Sequence, residues 1–266
     1  MVRKTSKSRG SSVIAALIVL CALIGYGLSE WKLLPDTMEA VPASRQAAEQ
    51  GMAPEKITLP EKGEPVRMLT MNAGNYFVPE DPRRSNFQVK YKPVEAREAI
   101  AELVRQSGAE IVGLSEMGGE AAVNDLQMRL KRKGVQLPHK VLVMRDGEDR
   151  GLVLLSKYPI VSNRSVTDMP VSGEPKRRKT MLRGILDATV KMPDSRQFRL
   201  IGVHLKSRLS RDGSAEETRR REAYALRDYL NGVMASQDGM PLLLYGDFND
   251  GPADSSCLLY TSDAAD

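Results

Sequence analysis

The chain has 266 residues, enough for one large domain or two small ones, and its hydrophobic share of 41% is that of a globular protein with a sizeable core. Its formal net charge is only +5, so the bulk charge neither requires nor excludes a nucleic-acid partner. The two cysteines do not look like disulfide partners, because Cys21 lies in an apolar N-terminal stretch and Cys257 in the C-terminal tail.

Residues 1–34 have the pattern of a targeting signal. A basic segment precedes residues 13–28, an almost unbroken apolar run (VIAALIVLCALIGYGL). The run fits an uncleaved signal anchor extended to Trp31 at the membrane interface, or a cleaved signal peptide with poorly placed cleavage residues. A buried core helix is the third alternative. We therefore expect a membrane-anchored protein with its domain outside the cytoplasm, periplasmic or extracellular, or a secreted protein if the signal is cleaved.

Residues 35–65 are predicted to be a linker, because prolines interrupt a polar stretch that has no strict periodicity. The folded domain then begins with residues 66–71, a short run predicted to be a strand. A helix is predicted over residues 94–108, with Gly108 as its C-terminal cap, and residues 111–114 form the next predicted strand. This strand–helix–strand order suggests a parallel or mixed sheet.

The remainder of the domain is rich in predicted strands. Apolar periodicity predicts two further helices, at residues 122–133 and 218–230. Strands separated by turn residues are predicted at 141–144, 152–155, 185–190, 198–203 and 242–245. We therefore expect an α/β domain with many strands and few long helices.

Polar residues recur at the point where hydrophobic strands end. Asn72 and Glu116 follow the first two strands, His204 follows a later one, and Asp247 with Asn249 follows the last. Each residue alone has an ordinary explanation, as a turn residue, a solvated side chain or a structural hydrogen-bond partner. Because four strands show the same placement, we expect these side chains to leave the core and converge on one mouth.

An ordered set of motifs resembles the endonuclease/exonuclease/phosphatase superfamily of metal-dependent, DNase I-like phosphoesterases. The motifs are MLTMNAG, IVGLSEM, RGLVLLSKYPI, IGVHLKSR and YGDFNDGP. GDFND after an apolar strand is the most specific of them, and HLKS is the next. The resemblance implies a four-layer α/β/β/α sandwich of two mixed β-sheets flanked by helices, which agrees with the many predicted strands.

The resemblance also implies roles for the strand-end residues. Glu116 is a suitable hard-oxygen ligand for Mg²⁺ or Mn²⁺, and Asn72 would lie beside that metal. Asp247 would position or deprotonate the attacking water, Asn249 would donate to the phosphate, and His204 would stabilise the phosphoryl oxygens.

Further basic residues have two explanations each. Lys206 and Arg208 are candidate phosphate contacts, and they are equally well explained as solvated loop cations. The basic loop at residues 176–179 could follow a nucleic-acid backbone, although a loop of this kind is more often simply solvated.

The C-terminal part of the sequence departs from the family pattern, which ends with a strand and an Asp-His pair. No such pair follows GDFND in this sequence, and residues 257–266 (CLLYTSDAAD) resemble the translation of a sequencing adapter. We therefore expect the domain, residues 66–256, to be incomplete. The chain as it stands is expected to be inactive, and its full-length parent to be an active hydrolase.

Three hypotheses of function follow from these observations. The first is an exported, divalent-metal-dependent phosphodiesterase whose substrate is nucleic acid. The second is a phosphodiesterase or phosphatase for lipid head groups or another small phosphate ester, which suits an anchored enzyme of modest charge. The third is a non-catalytic binding module of the same fold, against which the presence of Glu116 argues.

Overall fold

The computed structural model describes residues 65–79, 90–172, 180–209, 214–236 and 240–251. These ranges contain eight strands and three helices. The predicted targeting signal, the adapter-like tail, the basic loop and all but the last residue of the linker lie outside them. Within the ranges, no helix combines the length and the apolar character needed to cross a bilayer.

The first sheet contains the first four strands in the order β1-β2-β4-β3. They are β1 (Met68–Tyr76), β2 (Ile111–Met117), β3 (His139–Val143) and β4 (Gly151–Ser156). β1 and β2 are parallel and are connected through helix α1 (Val94–Ser107), whereas β4 is antiparallel to both of its neighbours. Helix α2 (Glu120–Arg132) follows β2.

The second sheet contains the last four strands in the order β5-β6-β7-β8. They are β5 (Ile160–Asn163), β6 (Leu186–Lys191), β7 (Gln197–His204) and β8 (Leu242–Asp247). β7 and β8 are parallel and are connected through helix α3 (Ala215–Ala235), and the other neighbouring pairs are antiparallel. Each sheet therefore has one parallel pair with a crossover helix, as expected for mixed sheets.

Three clusters of buried side chains define the layers. One lies between the first sheet and helices α1 and α2, and another lies between the second sheet and α3. The third lies between the two sheets and includes Ile111, Leu154, Leu186, Leu200 and Tyr245. The layers therefore follow the order helix, sheet, sheet, helix, which confirms the predicted four-layer sandwich.

The predicted elements are present, with three differences. β5 was not among the predicted strands, and β3 begins at His139, two residues before the strand predicted at 141–144. β1 also continues beyond the predicted strand to Tyr76, with a register shift between Asn72 and Tyr76. This shift lies at the end of the strand that carries the first candidate site residue.

Candidate active site

Four of the predicted residues meet where strands of the two sheets end. Asn72 in β1 donates from Nδ2 to Oδ2 of Asp247, the last residue of β8, at 2.8 Å. The Nε2 atom of His204, the last residue of β7, lies 3.7 Å from Asp247 Oδ2 and 3.9 Å from Oε1 of Glu116 in β2. The sequence therefore predicted this convergence correctly, and the site lies between the two sheets.

The orientation of the Glu116 carboxylate depends on an unusual backbone conformation. Glu116 has φ 60° and Asn75 has φ 57°, a left-handed conformation that costs roughly 1–2 kcal/mol in a residue other than glycine. Both strands shift register here, and the Asn75 N–H donates to Glu116 Oε2 at 2.9 Å. In the same bend the Gly74 N–H donates to Asn72 Oδ1 at 2.8 Å. Irregular pairing between β1 and β2 therefore fixes both side chains.

A tight turn holds Asp247 and Asn249 together after β8. The Asn249 N–H donates to Asp247 Oδ1 at 3.0 Å, and Asn249 Nδ2 donates to the carbonyl of Leu205 at 2.9 Å. Gly246 is needed before this turn, because it has φ 140° and a Cβ there would lie 2.0 Å from the Val203 carbonyl oxygen. The GDFN motif is therefore packed directly on the end of β7.

His204 is held in the neutral form by its surroundings. The side chain is only 2% exposed, and burial lowers the pKa of His204 to about 3, with further lowering by the positive charges of Arg183 and Arg150. Its Nδ1 atom has no hydrogen-bond partner among the residues that the structure describes. At neutral pH the imidazole is thus an uncharged group that can donate one hydrogen bond.

Two arginines at this site were not identified from the sequence. Arg150 Nη1 lies 4.0 Å from Glu116 Oε1. Burial lowers the pKa of Arg183, and its Nε and Nη1 atoms are buried without a hydrogen-bond partner in the described part of the chain. Arg150 precedes β4, which is antiparallel to β2, and Arg183 precedes β6, which is antiparallel to β7. The residue before a strand lies at the same edge of the sheet as the residue after the neighbouring antiparallel strand. The positions that precede strands therefore held the sequence signal for both arginines.

The two candidate phosphate contacts lie on the loop after β7. The Lys206 Nζ donates to the carbonyl of Leu209 at 2.7 Å. Arg208 donates from Nε to the carbonyl of Asn249 at 3.2 Å and from Nη2 to Asp250 Oδ1 at 3.3 Å. Their charged groups therefore bind oxygens of the loops that border the site, and a contact of either residue with phosphate stays a prediction.

The donor atoms at the site suit a small hard cation. Glu116 and Asp247 supply carboxylate oxygens, and the Oδ1 atom of Asn72 retains a lone pair beyond the one that accepts the Gly74 N–H. No group of three or more His, Cys, Asp or Glu side chains placed to hold a metal occurs within the described ranges. Mg²⁺ takes one or two carboxylates and keeps several waters, so the residues present fit it.

One comparison with known proteins identifies the family of this chain. The sequence model of the endonuclease/exonuclease/phosphatase family matches residues 85–263, whereas no curated protein gives a significant match. Among solved structures, the human Nocturnin catalytic domain with bound sulfate anion is 19% identical, with a TM-score of 0.50. A β-hairpin deletion mutant of beta toxin from Staphylococcus aureus is 16% identical, with a TM-score of 0.49.

These structural matches are partial. The alignment with Nocturnin covers 65% of this chain and 64% of that domain, and the alignment with beta toxin covers 72% and 70%. The mannosyl-6-phosphatase of Bacteroides thetaiotaomicron is 17% identical, with 62% and 61% covered and a TM-score of 0.47. The chain therefore spans about two thirds of the length of these structures. At 19% identity the likeness to Nocturnin is one of fold.

Proposed function

Because the chain belongs to the endonuclease/exonuclease/phosphatase family, whose members are hydrolases, we propose that it is the core of a divalent-metal-dependent phosphodiesterase. The observation that carries this proposal is the meeting of Glu116 and Asp247 within 4 Å of one neutral imidazole nitrogen, at 3.9 and 3.7 Å. Two carboxylates could hold a cation and activate water, and the adjacent guanidinium groups could bind an anionic ester.

Different residues of this chain would bind the metal, orient the water and bind the phosphate. Glu116 and Asn72 would hold Mg²⁺ or Mn²⁺, which when bound neutralises charge on phosphoryl oxygens. Asp247, held by Asn72 and by the Asn249 N–H, would orient the attacking water and accept its proton. Arg183 would donate to the phosphoryl oxygens, because its buried Nε and Nη1 atoms lack a partner among the described residues. His204 would donate there from Nε2, the ring nitrogen that lies beside the two carboxylates.

For the substrate, we propose nucleic acid first and a lipid head group or small phosphate ester second. The salt dependence of binding distinguishes these two substrate classes, because each phosphate contact on a nucleic acid releases counterions and makes binding steeply salt-dependent. A small ester would show little dependence. A non-catalytic binding module is the third possibility, and it would bind a phosphate ester without turnover.

Hydrolysis by the full-length gene product tests the proposal. We expect it to cleave DNA, RNA or bis-p-nitrophenyl phosphate with Mg²⁺ or Mn²⁺ and to lose this activity in EDTA. Asp247→Asn and Glu116→Gln should each lower the rate roughly 100-fold or more, whereas Asp228→Asn on the exposed face of α3 should leave it unchanged. A variant at Asp247 or Glu116 that keeps most of its rate would contradict the assignment.

We also propose, from the sequence alone, that residues 1–34 place the domain outside the cytoplasm and that the 266-residue chain has little activity by itself. A reporter enzyme active only after export, fused after residue 65, tests the first point. Parallel assays of the 266-residue chain and the full-length gene product test the second. Equal activity of the two proteins would contradict the proposed need for a C-terminal Asp-His pair.

A further inference from the structure

Helix α3 carries two charged side chains on its buried face. Arg219 is 5% exposed and Glu222 is 1% exposed. Charged side chains are almost never buried this completely unless partners satisfy them. The apolar residues Ala223, Leu226 and Leu230 already pack α3 on the second sheet. Attachment of the helix to the sheet therefore does not by itself explain why two charged side chains are buried here.

Glu222 connects two loops that carry site residues. Its Oε1 atom accepts the Leu182 N–H at 2.8 Å, and its Oε2 atom accepts the Lys206 N–H at 2.7 Å. Leu182 immediately precedes Arg183, and Lys206 lies two residues beyond His204. Hydrogen bonds from backbone amides to a carboxylate are stronger than those to a neutral acceptor. One side chain therefore fixes the spacing between the Arg183 loop and the end of β7.

Arg219 connects the loop after β7, which contains Lys206, to the loop after β8, which contains Asp250. Its Nη1 atom donates to the Lys206 carbonyl at 3.4 Å, and its Nη2 atom lies 3.2 Å from Asp250 Oδ1. The Asp250 side chain is itself buried and directly follows Asn249. The N–H of Lys206 is thus held by Glu222 and its carbonyl by Arg219, which leaves little freedom for the peptide segment after His204.

We propose that Arg219 and Glu222, called here the α3 clamp, are positioning residues that hold the loops of Arg183, His204 and Asn249 in register around one phosphate ester. This inference rests on the proposed function and adds to it. The two clamp side chains bind backbone atoms and Asp250, and the negative charge of Glu222 also acts on the nearby Arg183 guanidinium.

The decisive variant is Glu222→Gln. The amide keeps the shape of the carboxylate, but it has only one acceptor oxygen and turns an NH₂ group toward the second backbone N–H. One of the two loops must therefore lose its hydrogen bond. The matched control is Glu217→Gln on the same helix, because Glu217 forms ion pairs only with its helix neighbours Arg220 and Arg221 among the pairs that the structure describes.

Two measurements on the full-length protein separate positioning from general stability. Amide hydrogen exchange measures the protection of the backbone amides in the loops. The kcat and KM for bis-p-nitrophenyl phosphate with Mg²⁺ measure the reaction. In Glu222→Gln we expect exchange at Leu182 or Lys206 to accelerate roughly tenfold or more, with strands β6 and β7 unchanged. We expect kcat to fall roughly tenfold or more, since small displacements of catalytic groups are costly. Glu217→Gln should match the wild type in both.

The proposal is wrong if both amides exchange at the wild-type rate, if exchange accelerates uniformly through the second sheet, or if kcat is unchanged while the loops exchange faster. Should Glu222→Gln fail to fold, Arg219→Lys provides the same test at Lys206 and Asp250, because lysine keeps the charge but cannot reach both oxygens. A wild-type protein without hydrolytic activity would refute the proposed function, and the exchange data would still decide whether the clamp holds the loops.

Discussion

At the scale of single residues, burial determines what His204 can do. A solvated imidazole is half protonated near pH 6.5, whereas burial and two neighbouring arginines bring the pKa of His204 to about 3. The side chain therefore stays neutral between the two carboxylates at physiological pH. It can donate a hydrogen bond to a phosphoryl oxygen without competing electrostatically with a cation bound by Glu116.

This lowered pKa predicts how stability depends on pH. Below about pH 6.5 the unfolded chain binds a proton at His204, while the folded protein does not until about pH 3. The free energy of unfolding should therefore fall as the pH falls, by at most about 1.4 kcal/mol per pH unit for one proton. Urea unfolding between pH 6.5 and 5 in EDTA measures this slope, because the carboxylates titrate mainly below this range.

The control is supplied by the sequence, which has only two histidines. His204→Asn should make the slope smaller, whereas His139→Asn should leave the contribution of His204 in place. An identical slope in His204→Asn and the wild type would show that the imidazole titrates normally in the folded protein.

At the scale of elements, the distance between the two sheets depends on one aromatic ring. Tyr245 of β8 lies between Gly113 of β2 and Gly202 of β7, and a Cβ at Gly113 would come 2.2 Å from the ring. Glycine is thus required at these positions by close approach between the sheets. The tyrosine immediately precedes Gly246-Asp247, so the packing of the ring also fixes the base of the catalytic turn.

Gly113→Ala should therefore destabilise the protein by about 1–3 kcal/mol, the usual cost of overpacking a core. Urea unfolding measures the change. In the double variant Gly113→Ala/Tyr245→Leu the alanine should cost much less, because the smaller side chain leaves room for the methyl group. Gly232→Ala is the control, since a Cβ there meets nothing within 4 Å. Equal costs of Gly113→Ala with and without Tyr245 would contradict this account of the packing.

The elements also show why part of the site could be predicted from sequence. β2 and β8 are apolar runs with a polar residue at or next to their C-terminal end, so Glu116 and Asp247 were recognisable where the pattern changes. β5 has only four residues and alternates between partly buried and exposed positions, which leaves little signal beside Pro159. The positive φ of Glu116, the contacts of Glu222 and the approach of Arg183 depend on distant parts of the chain, and local patterns do not encode them.

At the scale of the whole molecule, the site adds polar contacts to the apolar packing between the two sheets. The Asn72–Asp247 hydrogen bond connects β1 of one sheet to β8 of the other. Glu116 belongs to the first sheet and His204 to the second. A cation held by Glu116 and Asn72 beside Asp247 would therefore strengthen the contact between the two halves of the sandwich, and metal binding should be visible as stability.

Magnesium should consequently raise the free energy of unfolding, because a ligand that binds only the folded state stabilises it by about 2.7 kcal/mol at 100 times its Kd. Thermal unfolding with MgCl₂, compared with NaCl at equal ionic strength to account for screening, measures the effect. Glu116→Gln should abolish the magnesium-dependent shift. Glu110→Gln should keep it, because Glu110 precedes the same strand at its opposite end and pairs with Lys157. A shift of equal size in both variants would place the cation elsewhere and would remove the metal-binding role from Glu116, whatever the activity of the enzyme.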